Sequence, residues 1–191
     1  EPSIQGSILQ MVNHGLTTAA LFLGFGYIMA LNPSRNLMDH GGVASTRPVV
    51  ATMIVIASMA SIGLPGLNGF VGEFMILSGA FNSAQLGSTL YEVLAAFAVI
   101  LAAMYTLRLL KFTLFGTPQH ALDSEVTSSS TLPKGWILGL FVILMVWIGF
   151  QSPTFTQFSQ EWTVVMQEYV QQVLSDFGLS GVNPSVSLPS N

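Results

Sequence analysis

Glu73 is the residue whose chemistry most needs explaining. It is the one acid in a stretch from Pro48 to about Asn82 that is otherwise without charge. A charged side chain in the middle of a membrane helix costs about 2.5–3.5 kcal/mol on insertion scales, and acids found there tend to mark ion or proton pathways. Burial favours the neutral acid, whereas a nearby helix N-terminus or a basic partner favours the carboxylate. Opposed influences of this kind give a proton affinity that can switch. The plainer reading is a neutral carboxylic acid that hydrogen-bonds a neighbouring helix.

His14 is the second candidate, within Asn13-His14-Gly15-Leu16-Thr17-Thr18. Positions 14, 17 and 18 fall on one helical face, so Thr17 and Thr18 bring hydroxyls beside the imidazole, with Asn13 adjoining. Histidine holds and passes protons near neutral pH. It equally serves as a structural interhelical hydrogen-bond partner, and the residues alone leave both readings open. Other groups are weaker. Arg108 and Lys111 close a helix from which long side chains snorkel to the interface. Glu92 is expected at the opposite boundary. Asp39 and His40 have no third ligand for a metal. No nucleophile elbow, phosphate loop or dinucleotide fingerprint occurs, so no covalent chemistry, metal site or bound cofactor is expected on this chain.

The elements that must position these residues are membrane helices. Of 191 residues, 51% are hydrophobic and 7% charged, against about 25% charged in soluble domains. The net charge is -4 with no cationic cluster, which argues against nucleic acid. There is no cysteine, which removes thiolate iron–sulfur and zinc sites. The weakly charged stretches run over about 8–31, 48–82, 88–115 and 133–152. A crossing needs about 20 mostly apolar residues, so the first, third and fourth each fit one span.

The second stretch is too long for one straight span and too short for two. As a single helix, 48–82 would reach ~52 Å, against a hydrocarbon core ~30 Å thick. Leu64-Pro65-Gly66-Leu67-Asn68-Gly69 offers the way out. Pro65 lacks an N–H, Gly66 and Gly69 open the backbone, and Asn68 can cap a restarting helix. One crossing in two half-helices, broken near 64–69, is therefore expected. A simple proline kink is the alternative. Such a break is tolerated in a membrane only where it is buried in protein or lines a wet cavity.

The basic residues orient the chain. Arg35 and Arg47 lie between spans one and two; Arg108, Lys111 and Lys134 lie between spans three and four. All five fall on one side of a four-crossing arrangement, the cytoplasmic side or its organellar equivalent, with both chain ends outside. From Glu161, Trp162, Val165, Met166, Tyr169, Val170, Val173, Leu174 and Phe177 recur at the spacing of an amphipathic helix. This helix, over about 160–177 within 153–191, is expected along the outer interface, followed by a polar tail over 178–191. A solvated Ser-rich loop is expected over 123–131. The chain opens Glu1-Pro2-Ser3 without a secretory pattern, which reads as a boundary inside a longer protein. The expected fold class is all-α, a polytopic bundle of about four spans over 1–152, one of them discontinuous, plus the amphipathic helix.

Two runs carry a resemblance. The run from Met11 to Leu23, with its His14-Gly15-Leu16 and Ala20-Leu21-Phe22, resembles a helix of the antiporter-like subunits of respiratory complex I. The run from Ala60 to Phe74, ending Gly69-Phe70-Val71-Gly72-Glu73-Phe74, is more specific and resembles the broken helix of the chain M type, the bacterial counterpart of mitochondrial subunit 4. The sister types L and N place a lysine where Glu73 stands. Gly41-Gly42 also fits. The resemblance is good over about 4–118, and rests on position alone beyond.

It implies the last four of fourteen spans, a midplane proton channel, Glu73 at the exit end of the polar axis and His14 on the neighbouring helix. It also implies NADH, FMN, iron–sulfur clusters and quinone on partner subunits, further spans and antiporter-like subunits as partners, surrounding lipid, and a bacterial inner or organellar energy-converting membrane. The family's upstream glutamate and lysines are not in this sequence, which leaves independent transport in doubt. The implied function is proton translocation within NADH:quinone oxidoreductase. The alternatives are a multisubunit cation/proton antiporter or membrane-bound hydrogenase subunit of the same ancestry, and a non-transporting membrane scaffold.

Overall fold

A computed structural model of the chain describes residues 2–81, 89–116 and 131–177. These form seven α-helices: α1 (Pro2–Leu31), α2 (Val43–Thr46), α3 (Pro48–Ser61), α4 (Asn68–Phe81), α5 (Thr89–Thr113), α6 (Thr131–Phe150) and α7 (Ser152–Asp176). A 3-10 turn over Leu37–Asp39 precedes α2. No strand occurs among the described residues. The Ser-rich loop up to residue 130, the turn at 82–88 and the polar tail from 178 lie outside the described residues, as do the side chains of Glu92, Lys134, Glu161 and Trp162.

Two helical segments, Ser3–Ala30 and Val93–Thr113, are long and apolar enough to cross a membrane, and Pro48–Ser61 and Gly135–Phe150 are shorter apolar helices. The bundle exposes many large apolar side chains, among them Phe97, Ile100, Met104 and Leu107 on α5. A water-soluble surface rarely carries an apolar area this continuous. The membrane-buried face of a transmembrane bundle requires it.

The packing is organised by α1. Its positions 3, 6, 10, 13, 17, 20, 24 and 27 repeat at alternating steps of three and four and are buried or half-buried. They are Ser3, Gly6, Gln10, Asn13, Thr17, Ala20, Gly24 and Tyr27, a seam of small and polar residues. In a membrane such residues bring helix backbones close, because lipid is as apolar as leucine and large side chains gain nothing by associating. The seam runs antiparallel to the α3–α4 pair. A Cβ on Gly24 would collide with Ile54 of α3, and one on Gly6 with Met75 of α4. The apolar core behind this seam includes Ala20, Ile28, Ile54, Ala57, Leu114 and Met145.

Two boundaries differ from the expectation from sequence. Helix α7 begins at Ser152 instead of about 160, with Pro153 in its first turn, where the missing N–H is harmless. Helix α1 already includes Pro2, ahead of the apolar run at Ile8.

Candidate functional site

Between α3 and α4 the helix stops and restarts within residues 62–67. The stop is a Schellman motif. Gly63 (φ 71°) is left-handed after the helix, its N–H reaching Ala60 O at 3.3 Å and that of Leu64 reaching Met59 O at 3.0 Å. This pairing satisfies carbonyls that a helix end leaves open. The chain then turns at Leu64-Pro65-Gly66-Leu67, with Leu67 N to Leu64 O at 3.1 Å and Gly66 at φ 92°. Proline second and a positive-φ glycine third are the residues a type II turn demands. The interruption thus sits at 62–67, slightly ahead of the 64–69 read from sequence, because Gly63 ends the helix before Pro65 can.

Asn68 does not act as the expected cap. It is fully buried, and its side chain turns across to α1, where Asn68 Nδ2 donates to Asn13 Oδ1 at 3.2 Å and Asn13 Nδ2 donates to Asn68 O at 2.7 Å. The two asparagines clasp α1 to the first turn of α4. Gly69 approaches so closely that a Cβ would collide with the Ala60 carbonyl of α3. On the far side Gly149 of α6 lies against Gly66 O and Leu67. Leu67, Asn68 and Gly69 are therefore held between α1, α3 and α6, while Leu64, Pro65 and Gly66 are exposed on this chain.

Glu73 lies one and a half turns into α4, half-buried. Side chains on a helix lean toward its N-terminus, and the Glu73 carboxylate accordingly comes back to the interruption. A Cβ on Gly63 would collide with its Oε2. Its Oε1 accepts a hydrogen bond from Gln10 Nε2 of α1 at 3.3 Å. Gln10 is pressed on Gly72, whose absent side chain makes the room. Among the described residues, three buried side-chain oxygens have no hydrogen-bond partner: Gln10 Oε1, Asn68 Oδ1 and Ser58 Oγ. Buried polar atoms are nearly always paired, and those left over mark places suited to water.

The other candidates separate. Thr17 is buried and donates back to Asn13 O at 2.9 Å and His14 O at 3.2 Å. His14 is exposed, with Nε2 at 3.4 Å from Thr18 Oγ1. The 100° step between neighbouring helix positions sends Asn13 into the seam and His14 out of it. Glu73 thus pairs with Gln10, and His14 with Thr18 on a different face of α1. Asp39 is held by Ser34 Oγ at 2.5 Å and Asn36 Nδ2 at 3.1 Å, and His40 Nε2 meets Ser34 O at 2.9 Å. No cluster of three or more His, Asp or Glu residues suited to a metal occurs among the described residues.

Gln10, Gly63, Gly72 and Gly149 were not singled out from sequence. The signal for Gln10 was present in the three-four repeat of α1, which places it beside Asn13 on the seam. Gly63 was legible as a helix stop after an apolar run. Gly72 and Gly149 make contacts between helices that no local pattern announces.

An all-helical bundle with an apolar exterior, whose half-buried acid and asparagine pair gather where α3 gives way to α4, is built as an integral membrane protein. The chain belongs to the family described as NADH:quinone oxidoreductase/Mrp antiporter, transmembrane, which matches residues 1–99. It is 36% identical over 157 residues to NADH-ubiquinone oxidoreductase chain 4 of Marchantia polymorpha, covering 81% of this chain and 30% of that one. It is 31% identical over 146 residues to NADH-quinone oxidoreductase subunit M of Escherichia coli (strain K12), covering 76% of this chain and 28% of that one. Its fold is similar to a chain in the structure of the Mrp complex from Dietzia sp. DQ12-45-1b, with a TM-score of 0.71 at 19% identity, covering 83% of this chain and 37% of the other. The chain thus spans about 30% of the length of the curated relatives it matches.

Proposed function

We propose that this chain is part of a proton-translocating membrane subunit of an NADH:quinone oxidoreductase, and that Glu73 takes up and releases the proton. The observation that carries the reading is the carboxylate lying at the interruption between α3 and α4, hydrogen-bonded to Gln10 and touching Gly63. An acid held only as a structural hydrogen-bond partner would need no such setting, whereas a proton-transfer acid needs polar neighbours able to accommodate both its forms. The unpaired oxygens of Gln10 and Asn68 on the same seam are support for water reaching it. The relatives named as oxidoreductase subunits support the assignment of the machine.

In this reading 48–81 is one discontinuous crossing among about four, α7 lies along the outer interface, and both chain ends face outward in a bacterial inner membrane or an organellar equivalent. The exposed turn at Leu64–Gly66 faces a wet cavity or other protein, as membrane physics requires. Further spans of the kind the longer relatives possess, other antiporter-like subunits and lipid are the partners. NADH, FMN, iron–sulfur clusters and quinone belong to other subunits. His14, outside the Glu73 seam, would relay protons only through a neighbour on its own face.

The test is Glu73→Gln in the assembled complex, with the proton-to-electron ratio measured alongside NADH oxidation. A lowered ratio with an intact complex is expected; an unchanged ratio rejects the role. The family description also names Mrp antiporters, so a cation/proton antiporter is the second reading. Copurification with subunits that react with NADH or quinone favours the first, and its absence the second.

A further inference from the structure

We propose that the groove between the C-terminal half of α1 and the end of α5 binds one anionic phospholipid, with Arg35 at its head. A cavity of about 440 Å³ lies there, walled by Phe25, Ile28 and Met29 of α1 and Leu109 of α5, with Arg35 and Leu37 from the connection after α1. A second cavity of about 280 Å³ continues along α1 past Thr18, Leu21 and Phe22, and shares Phe25 with the first. From position 18 to position 29, α1 rises ~16 Å at 1.5 Å per residue. Half of a ~30 Å hydrocarbon core is ~15 Å. The two cavities together are therefore about one leaflet deep, and apolar side chains make up most of their walls, as an acyl chain needs, with Ser34, Arg35, His40 and Thr113 gathered in the first and Thr18 in the second.

The charge at one end decides the occupant. Arg35 is exposed, and no hydrogen bond or ion pair ties it to any described residue. The nearest acid in sequence, Asp39, is already engaged by Ser34 and Asn36. The ring of His40 meets the Ser34 carbonyl, which fixes the rim of the groove and leaves Arg35 as its cation. Arg108 and Lys111, which edge the same aromatic ring of Phe112, add positive charge toward this end of α5. A guanidinium forks onto phosphate oxygens bidentately, and basic pockets between membrane helices select anionic headgroups. An anionic lipid supplies both an acyl tail for the apolar walls and a charge for the guanidinium. The inference needs only the membrane setting, and stands or falls independently of proton transfer at Glu73.

Full-length protein reconstituted in vesicles tests it, using phosphatidylglycerol or phosphatidylcholine that carries a photoactivatable acyl chain. Adducts are mapped by peptide mass spectrometry. Labelling within residues 18–29 and at Leu109 is expected at least five-fold stronger from phosphatidylglycerol. Arg35→Gln should bring the two lipids to parity, and Arg35→Lys should retain the preference. Arg35 is exposed, so both variants are expected at wild-type levels in the membrane. Equal labelling by both lipids in the wild type overturns the proposal, as does a preference that survives Arg35→Gln. Absence of labelling by either lipid overturns it too, and shows the groove to be filled by protein.

Discussion

Replacing Asn13 by alanine removes both hydrogen bonds of the clasp between α1 and α4 at once. Asn68 then keeps a buried side-chain amide with nothing opposite, beside an Oδ1 that is already without a partner. Interhelical hydrogen bonds in membranes are worth about 0.6 kcal/mol each on average and at most about 1.7. Two of them give about 1.2 kcal/mol, and buried groups left unsatisfied add about 1–3 kcal/mol more when no water reaches them. The expected loss is therefore about 2–4 kcal/mol, a drop of about 30- to 900-fold in the folded-to-unfolded ratio. Steric trapping of the full-length protein in bicelles reads that ratio directly. A double-mutant cycle with Asn68→Ala isolates the side-chain bond of the clasp, because Asn13 Nδ2 still reaches the backbone Asn68 O in that variant, and a coupling of about 0.6 kcal/mol is expected from the one shared bond. A loss under 0.5 kcal/mol for Asn13→Ala, or single-mutant effects that simply add, would refute the idea that this pair fastens the restarting helix to α1.

Gly63→Ala should be harmful twice over. Its left-handed backbone costs a non-glycine residue about 1–2 kcal/mol, and its Cβ would displace the Glu73 carboxylate; lowered proton pumping at normal NADH oxidation by the assembled complex is the measurement. Gly149→Leu should part α6 from the interruption and lower the thermal midpoint in detergent, because a side chain there meets the backbone of Gly66 and Leu67, which has little room to yield. Ile54→Ala, fully buried against Gly24, should destabilise by about 2 kcal/mol, mainly through the cavity it leaves, as read by the same trapping assay. Cysteines introduced at Asn36 and at Phe177 in full-length protein should react with an impermeant thiol reagent from opposite sides of the membrane. Labelling of both from one side rejects the four-crossing arrangement.

The class of the protein was legible because it rests on summed composition, which tertiary context cannot alter. The resemblance carried by residues 11–23 and 60–74 led to the family that the comparisons identify. Helix α3 ends at Ser61 and α4 starts at Asn68, on either side of Pro65 and Gly66, which restrict the backbone whatever surrounds them. What Asn68 does was not legible. An asparagine at a helix start has a local use as a cap and a distant use across the interface, and only the position of Asn13 on the facing helix decides between them. The partner of Glu73 escaped for a similar reason. Gln10 and Glu73 are 63 residues apart, and the antiparallel pairing that aligns them depends on the register of two glycine-bearing helices. His14 and Asn13 adjoin in sequence yet part in space, which helical geometry foretold but which face met α4 did not.

The equal halves flanking the interruption bear on how such a chain enters a membrane in the first place. Helices α3 and α4 hold 14 residues each, or ~21 Å apiece, and neither alone bridges the ~30 Å interior. During synthesis α3 emerges first as a segment too short to be released into lipid. In the four-crossing reading α3 completes a span only once α4 follows, and α1, which packs against both, is made before either. The order of the helices along the polypeptide thus lets the two short pieces be laid end to end against a helix already formed.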